Sequence, residues 1–254
     1  MAEIRLFLIG SDNFGVLLRD PKTGAVATID AGEAAPIVAA LDAAGWTLTD
    51  ILVTHHHGDH VAGIEALKSR YGATVTAPAA DRGRIPAVDR WVEEGDEVRV
   101  GALAARVIAT PGHTSGHIAY HFPDAKLLFC GDTLFAMGCG RLFEGSPAEM
   151  WASLSKLAAL PADTQVYCGH EYTLSNARFA LRYDADNPKL AARAAEVERL
   201  RAEGRFTIPT TIGLERETNP FLRATDAGVA AAVGLPGAAA ADVFAALREA
   251  KNRG

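Results

Sequence analysis

Six consecutive residues, His55-His56-His57-Gly58-Asp59-His60, place imidazoles and a carboxylate within one short loop. Imidazole and carboxylate are the ligands that zinc, iron and manganese take when a water must also bind. The alternating pair His55 and His57 can point one way and Asp59 and His60 another, so one loop can serve two ions. Two coordination shells need further ligands, best supplied by turns that follow apolar runs. Three such turns stand out: Gly112-His113 after Val107-Ile108-Ala109, Gly131-Asp132 after Leu127-Leu128-Phe129, and Gly169-His170 after Val166-Tyr167. The glycine before each lets the backbone approach a site closely. His55, His57, Asp59, His60, His113, Asp132 and His170 together form an N/O ligand set without sulfur. One carboxylate shared between two ions would give each ion four protein ligands.

Those ligands must be carried by strand ends, and the apolar pattern supplies them. Ile4–Ile9, Phe14–Arg19 and Ala25–Asp30 read as strands divided by Gly/Asn/Asp/Pro turns. A helix is predicted over Glu33–Gly45, a strand over Leu48–Val53, a helix over Val61–Tyr71 and a strand over Ala73–Ala77. Residues 81–94 are turn-rich and charged. Two hairpins are predicted, Glu97–Val100 with Leu103–Ala109 and His117–Phe122 with Lys126–Phe129. Ser146-Pro147-Ala148-Glu149 is a helix start with a capping box, and the helix runs to about Leu160 before Pro161. Gln165–Cys168 is the last clear strand. Beyond it, helices are predicted over Tyr172–Tyr183, Asn187–Glu203 and Ala238–Lys251, with extended structure only around Phe206–Ile208. The change of texture sets a boundary near residue 172. It separates a sheet-rich domain (1–172) from a helical one (173–254), and the first is expected to hold mixed sheets with helices outside.

Composition limits the alternatives. The chain of 254 residues is 49% hydrophobic and 22% charged, with net charge −6, the profile of a soluble globular protein. The acidic balance argues against nucleic-acid or membrane-surface partners. Cys130, Cys139 and Cys168 form no CxxC and no even framework, so reduced, buried thiols in a cytoplasmic protein are expected. The first residues lack a signal-peptide pattern, and no apolar run reaches the 18 residues of a membrane span.

The HxHxDH run followed by Pro111-Gly112-His113-Thr114, Gly131-Asp132-Thr133 and Gly169-His170-Glu171 resembles the metallo-β-lactamase superfamily of hydrolases. Gly138–Gly145, Cys168–Thr173, Asn219-Pro220-Phe221-Leu222-Arg223 and the closing Arg248-x-x-Lys251 are similar to the hydroxyacylglutathione hydrolase (glyoxalase II) family. That match spans nearly the whole chain. It implies an α/β fold, the four-layer αββα metallo-β-lactamase sandwich with a C-terminal helical domain. It implies His55, His57 and His113 at one divalent ion, Asp59, His60 and His170 at a second, and Asp132 bridging. Zinc is the implied metal, with iron or manganese as alternatives. It further implies hydrolysis of S-D-lactoylglutathione and related thioesters by a cytoplasmic monomer. In that reaction Asp59 and Asp132 act on the attacking water, and Arg141, Tyr172, Arg248 and Lys251 bind the substrate. Some family members carry Lys and Tyr where this chain has Arg141 and Phe143. His117 and His121 read as structural, and His56 as a support behind its neighbours. Two alternatives stay open: a glutathione persulfide dioxygenase of related fold with one iron, and a non-catalytic metal-binding protein.

Overall fold

The computed structural model describes residues 2–254, and the chain divides into two compact units. The first comprises residues up to Thr110 together with Thr114–Gly131, and the second Pro111–His113 with Asp132–Gly254.

The first unit begins with β1 (Glu3–Ile9), β2 (Asn13–Arg19), β3 (Val26–Ile29), α1 (Ala34–Ala44) and β4 (Asp50–Leu52). After the histidine loop come α2 (Gly58–Val61), α3 (Ile64–Tyr71), β5 (Thr74–Pro78), a short 3-10 turn (Ala79–Asp81) and β6 (Arg90–Val92). These strands form a sheet in the order β1-β2-β3-β4-β5-β6, antiparallel through β3 and parallel from there on. Parallel strands need crossovers; residues 79–89 form the third, and α1 and the α2–α3 segment supply the first two. Both must cover the sheet. Ile37, Leu41, Ile64 and Leu67 accordingly pack with Leu17, Ile51, Val53 and Val75 in one buried core. The unit closes with the antiparallel strands β7 (Glu97–Val100), β8 (Leu103–Ala109), β9 (Ile118–Phe122) and β10 (Leu127–Phe129).

Two departures from the sequence-based expectation have local causes. The helix expected over Val61–Tyr71 is broken at Ala62-Gly63. Gly63 N–H donates to Ala31 O at 2.7 Å, and a Cβ on Gly63 would lie 2.7 Å from Ala34 N. The close approach of the chain after β3 therefore fixes the break. The turn-rich segment 81–94 contains β6, paired in parallel with β5. Its three residues are too short to leave a periodicity.

The second unit holds the pair β11 (Leu134–Phe135) and β12 (Gly138–Cys139), then α4 (Pro147–Ala158), β13 (Gln165–Tyr167), α5 (Thr173–Tyr183) and α6 (Pro188–Ala202). It ends with β14 (Thr210–Thr211), α7 (Ile212–Thr218), α8 (Ala227–Ala232) and α9 (Ala240–Arg253). The caps expected from the sequence are present. Ser146 and Glu149 form the capping box of α4, and Asn187 accepts from Lys189 and Leu190 N–H at the start of α6. The extended segment after residue 172 lies at 210–211, paired antiparallel with β13, and not at 206–208. Thr207 is instead engaged by its own hydrogen bonds to the Glu171 carboxylate. Helices α7 and α8 are too short to give a periodic signal in the sequence.

One buried carboxylate organises this unit. Glu215, on α7, accepts from Met137 N–H (2.9 Å), Thr210 Oγ1 (2.6 Å), Asn219 Nδ2 (3.0 Å) and Arg193 Nη2 (2.5 Å). A buried charge persists when it is paired and its remaining lone pairs are bonded. The result fixes the β11–β12 turn, whose Met137 has φ +54°. Asn219 Nδ2 also donates to Phe135 O and Gly138 O, and Asn176 Nδ2 donates to Ala136 O.

Candidate metal centre

Each unit carries its own set of ligand atoms. In the first, β4 ends in buried Thr54 and His55, and His57 precedes α2, which carries Asp59 and His60. His55 Nε2 lies 3.1 Å from His57 Nδ1, and His60 Nε2 lies 3.5 Å from Asp59 Oδ2. In the second unit, His113 Nε2 and His170 Nε2 each lie 3.4 Å from the same oxygen, Asp132 Oδ2. Donor atoms at about 2.0–2.1 Å from a tetrahedral ion are roughly 3.3 Å apart. Every one of these separations is close to that edge, so the donor set fits divalent metal ions. Two imidazoles sharing one carboxylate oxygen is the arrangement that a bridging carboxylate requires.

The nitrogen that faces away from a metal sets the tautomer of a histidine ligand. His55 Nδ1 is 3.0 Å from Thr54 Oγ1. His60 Nδ1 is 2.8 Å from Asp30 Oδ2. Asp30 also accepts from Thr54 N–H (2.7 Å) and Thr54 Oγ1 (2.8 Å). Asn13 Nδ2 donates to Asp59 O at 2.7 Å, and a Cβ on Gly32 would lie 2.1 Å from that same oxygen. In the second unit His113 Nδ1 donates to a main-chain acceptor, Arg141 O, at 2.7 Å. His170 is stacked on Tyr172 at 4.8 Å with 2° between the rings. Phe143, 61% exposed, meets His113 edge-on at 5.3 Å.

Three further histidines lie outside the candidate donor set. His56 Nδ1 lies 3.1 Å from the fully buried Asp81. His117 is buried, bonded to Thr110 Oγ1 at 2.9 Å and stacked on His55 at 4.8 Å. His121 is buried, and desolvation lowers its pKa. The cysteines are buried and form no disulfide. Burial pushes the Cys168 thiol up to about 12 and raises that of Cys139 as well, so neither is a thiolate at neutral pH.

The residues assigned to substrate sit as follows. Arg141 and Tyr172 are exposed. Lys251 Nζ donates to Ser175 O (3.2 Å) and Oγ (3.3 Å) and lies 5.1 Å from the Phe179 ring centroid. Arg248 is only 6% exposed, lies over Phe221, and donates from Nη1 to Cys139 O at 2.9 Å. In the sequence Asp30 is marked only as the end of a strand. The signal that it carries is an acid closing a fully buried run and followed by Ala31-Gly32. Arg141 stands out in the sequence for its charge, whereas its carbonyl is what holds His113. A carbonyl is common to every residue type, so no sequence signal could have found it.

Comparison with known proteins agrees with this picture. Residues 16–170 match the metallo-β-lactamase superfamily model, and residues 171–254 match the model of the hydroxyacylglutathione hydrolase C-terminus. Hydroxyacylglutathione hydrolases of Rhodopseudomonas palustris strain BisA53 and of Brucella anthropi are similar. The first is 59% identical over 252 residues, 99% of each chain; the second is 56% identical over 250 residues, 98% of this chain and 96% of the relative. Among solved structures, ETHE1 from Myxococcus xanthus superposes with TM-score 0.70 at 27% identity, covering 97% of this chain and 90% of its own. TTHA1623, solved in a di-iron-bound form, superposes with TM-score 0.62 at 27% identity, covering 85% of this chain and 98% of its own. The fold is thus the αββα metallo-β-lactamase sandwich with a C-terminal helical region, and the chain belongs to the hydroxyacylglutathione hydrolase family of that superfamily.

Proposed function

We propose that this chain hydrolyses S-D-lactoylglutathione and related S-2-hydroxyacylglutathiones to glutathione and a 2-hydroxy acid, as a cytoplasmic monomer with two divalent ions. His55, His57 and His113 would hold one ion, Asp59, His60 and His170 the other, and Asp132 would bridge. The observation that carries the reading is the pair of imidazoles at 3.4 Å from one oxygen of Asp132. The di-iron form of TTHA1623 supports two ions and keeps iron beside zinc as an occupant. When bound, the ions lower the pKa of water toward about 7 and polarise the thioester carbonyl.

The chain's own groups do the rest. Asp59 and Asp132 orient the attacking water and take its proton. The C–S bond breaks to release a thiolate of pKa near about 8.5, which needs little acid assistance. No cysteine is needed as nucleophile, in keeping with the raised pKa of Cys168 and Cys139. The tripeptide carries carboxylates on a protein of net charge −6, so local cations must meet them. Lys251 and Arg141 would meet them, with Arg248 adding charge and Tyr172 a hydroxyl. Phe143 offers a ring without a hydroxyl.

The test is loss of thioester absorbance with S-D-lactoylglutathione before and after chelation, with metal counted. Turnover that needs two ions is expected. Consumption of oxygen with glutathione persulfide by a one-iron protein would select the dioxygenase. Full metal loading without turnover would leave a binding protein.

A further inference from the structure

The buried guanidinium of Arg248 does something a surface cation for a substrate carboxylate need not do. Its Nη1 donates to Cys139 O at 2.9 Å while its Nε donates to Asn252 Oδ1 at 3.2 Å, and its plane lies over Phe221. Cys139 ends β12. The next residue, Gly140, is seated so closely on Asp132 that a Cβ would lie 1.9 Å from Asp132 O and 3.3 Å from His113 Nδ1. Gly140 N–H donates to Thr133 O at 3.2 Å. The residue after it, Arg141, supplies the carbonyl that takes the His113 Nδ1 proton at 2.7 Å. The main chain then returns to the same turn, where Phe143 N–H donates to His113 O at 3.2 Å. Two residues of backbone therefore separate the atom that Arg248 holds from the atom that orients His113.

We propose that Arg248 is a positioning residue for His113, acting through the main chain of Cys139–Arg141 to fix the ring with its proton on Nδ1 and its Nε2 turned to Asp132. The role exists without substrate. It rests on the reading of His113 as a metal ligand. It adds to the charge that Arg248 brings near the substrate and does not replace it, whereas the Lys251 ammonium is held by Ser175. The two roles differ in sign. Removing a cation near a metal site would, through charge alone, tighten binding of a metal ion. Removing a support of a ligand's orientation weakens it, by about tenfold or more where such supports have been cut.

The experiment uses the full-length protein, loaded with zinc for the spectra and stripped of it for the chelator competition. Long-range 1H–15N spectra of the histidines should report His113 as the Nδ1–H tautomer in the wild type. Arg248→Met keeps the stem over Phe221 but removes the donors. It should give a tautomer mixture at His113 and about tenfold weaker zinc affinity in chelator competition. Lys251→Ala should show neither change. Wild-type tautomer and affinity in Arg248→Met would overturn the proposal, as would an equal loss in Lys251→Ala. Should Arg248→Met fail to fold, Arg248→Lys takes its place. One ammonium cannot serve Cys139 O and Asn252 Oδ1 in the fixed geometry of a guanidinium, so weakened zinc binding is expected again and unchanged binding overturns the idea. His113→Ala separates the levels. Unchanged zinc affinity there overturns the metal reading and the proposal with it. A loss there beside wild-type behaviour in the Arg248 variants overturns the proposal alone.

Discussion

The two units present their candidate metal-binding side chains in different ways. In the first, four candidate ligands fall within residues 55–60 and are oriented by side chains: Thr54 for His55, Asp30 for His60, and Asn13 for the backbone of Asp59. In the second, the ligands come from turns at 113, 132 and 170. His113 is oriented by a carbonyl, and His170 is stacked on a ring. A side-chain support can be deleted by one substitution. A carbonyl cannot, so its position must be secured by whatever holds that stretch of main chain. The second unit devotes Glu215, Asn219 and Arg248 to the segment 135–141. The difference predicts that the first set fails locally, whereas the second fails through residues that touch no ligand.

The largest effect should come from Asp132, the carboxylate shared by two imidazoles. Asp132→Ala is expected to lower turnover by orders of magnitude with the fold retained, and to reduce metal content as well. Circular dichroism, metal analysis and thioester assay on one preparation check this. Near-normal turnover with full metal would show that the two imidazoles do not depend on a shared carboxylate.

Next in size is Asp30→Asn, which probes side-chain support in the first unit. Asparagine keeps the shape and tolerates the positive φ of +58° at this position. An amide nitrogen cannot accept from His60 Nδ1, so one contact of the Asp30 set is lost. Metal affinity should fall about 10- to 100-fold, with the melting temperature changed far less. Equal affinity in Asp30→Asn and wild type would mean that helix α2 alone orients His60. The support would then be main-chain in both units, and the contrast between them would dissolve.

This contrast also explains what the sequence discloses. Candidate ligands with diagnostic side chains are legible in both units, because histidine and aspartate after glycine at strand ends are rare enough to notice. Amphipathic helices such as α1 and α6 are legible, since their periods extend over several turns. What the sequence conceals depends on tertiary approach. Gly63 breaks a helix because Ala31 comes near it. Asp30 gains meaning only beside Thr54 and His60. Arg141 acts through an atom that every residue possesses. Arg248 is legible as a cation in a family motif, but its burial against Cys139 O is not, because the two are 109 residues apart. Short elements such as β6, α7 and α8 leave no period to read.

A moderate effect is expected on substrate affinity. Lys251→Ala should raise KM about tenfold with kcat little changed, because a charge-assisted contact worth about 1.5–3 kcal/mol is shared by ground and transition states. Added salt should shrink the difference. Replacing Arg248 together with Lys251 should raise KM further and, unlike Lys251→Ala alone, lower kcat through the loop that carries Arg141. Equal kcat in the single and double variants would place both cations in the same role.

The smallest effect is a proton. Burial, and after it the neighbouring Arg248 guanidinium, lower the Lys251 pKa from 10.5 to about 8, with Cys139 opposing and Arg182 adding least. The folded chain therefore holds fewer protons at this site than the unfolded chain between about pH 8 and 10.5. Stability linked to Lys251 should rise with pH through that window, and the destabilisation is fully present below it. Binding acts in the opposite sense. A carboxylate set against Lys251 favours the ammonium and raises its pKa, so binding near pH 8 should draw a proton from solution. Titration with S-methylglutathione in buffers of different ionisation enthalpy should show uptake of about half a proton at pH 8 and little at pH 6. Lys251→Met should abolish the uptake, and its KM should lose the upward turn expected in the wild type above pH 8. Uptake that persists in Lys251→Met would assign the proton elsewhere and leave this lysine as a packed stem on Phe179.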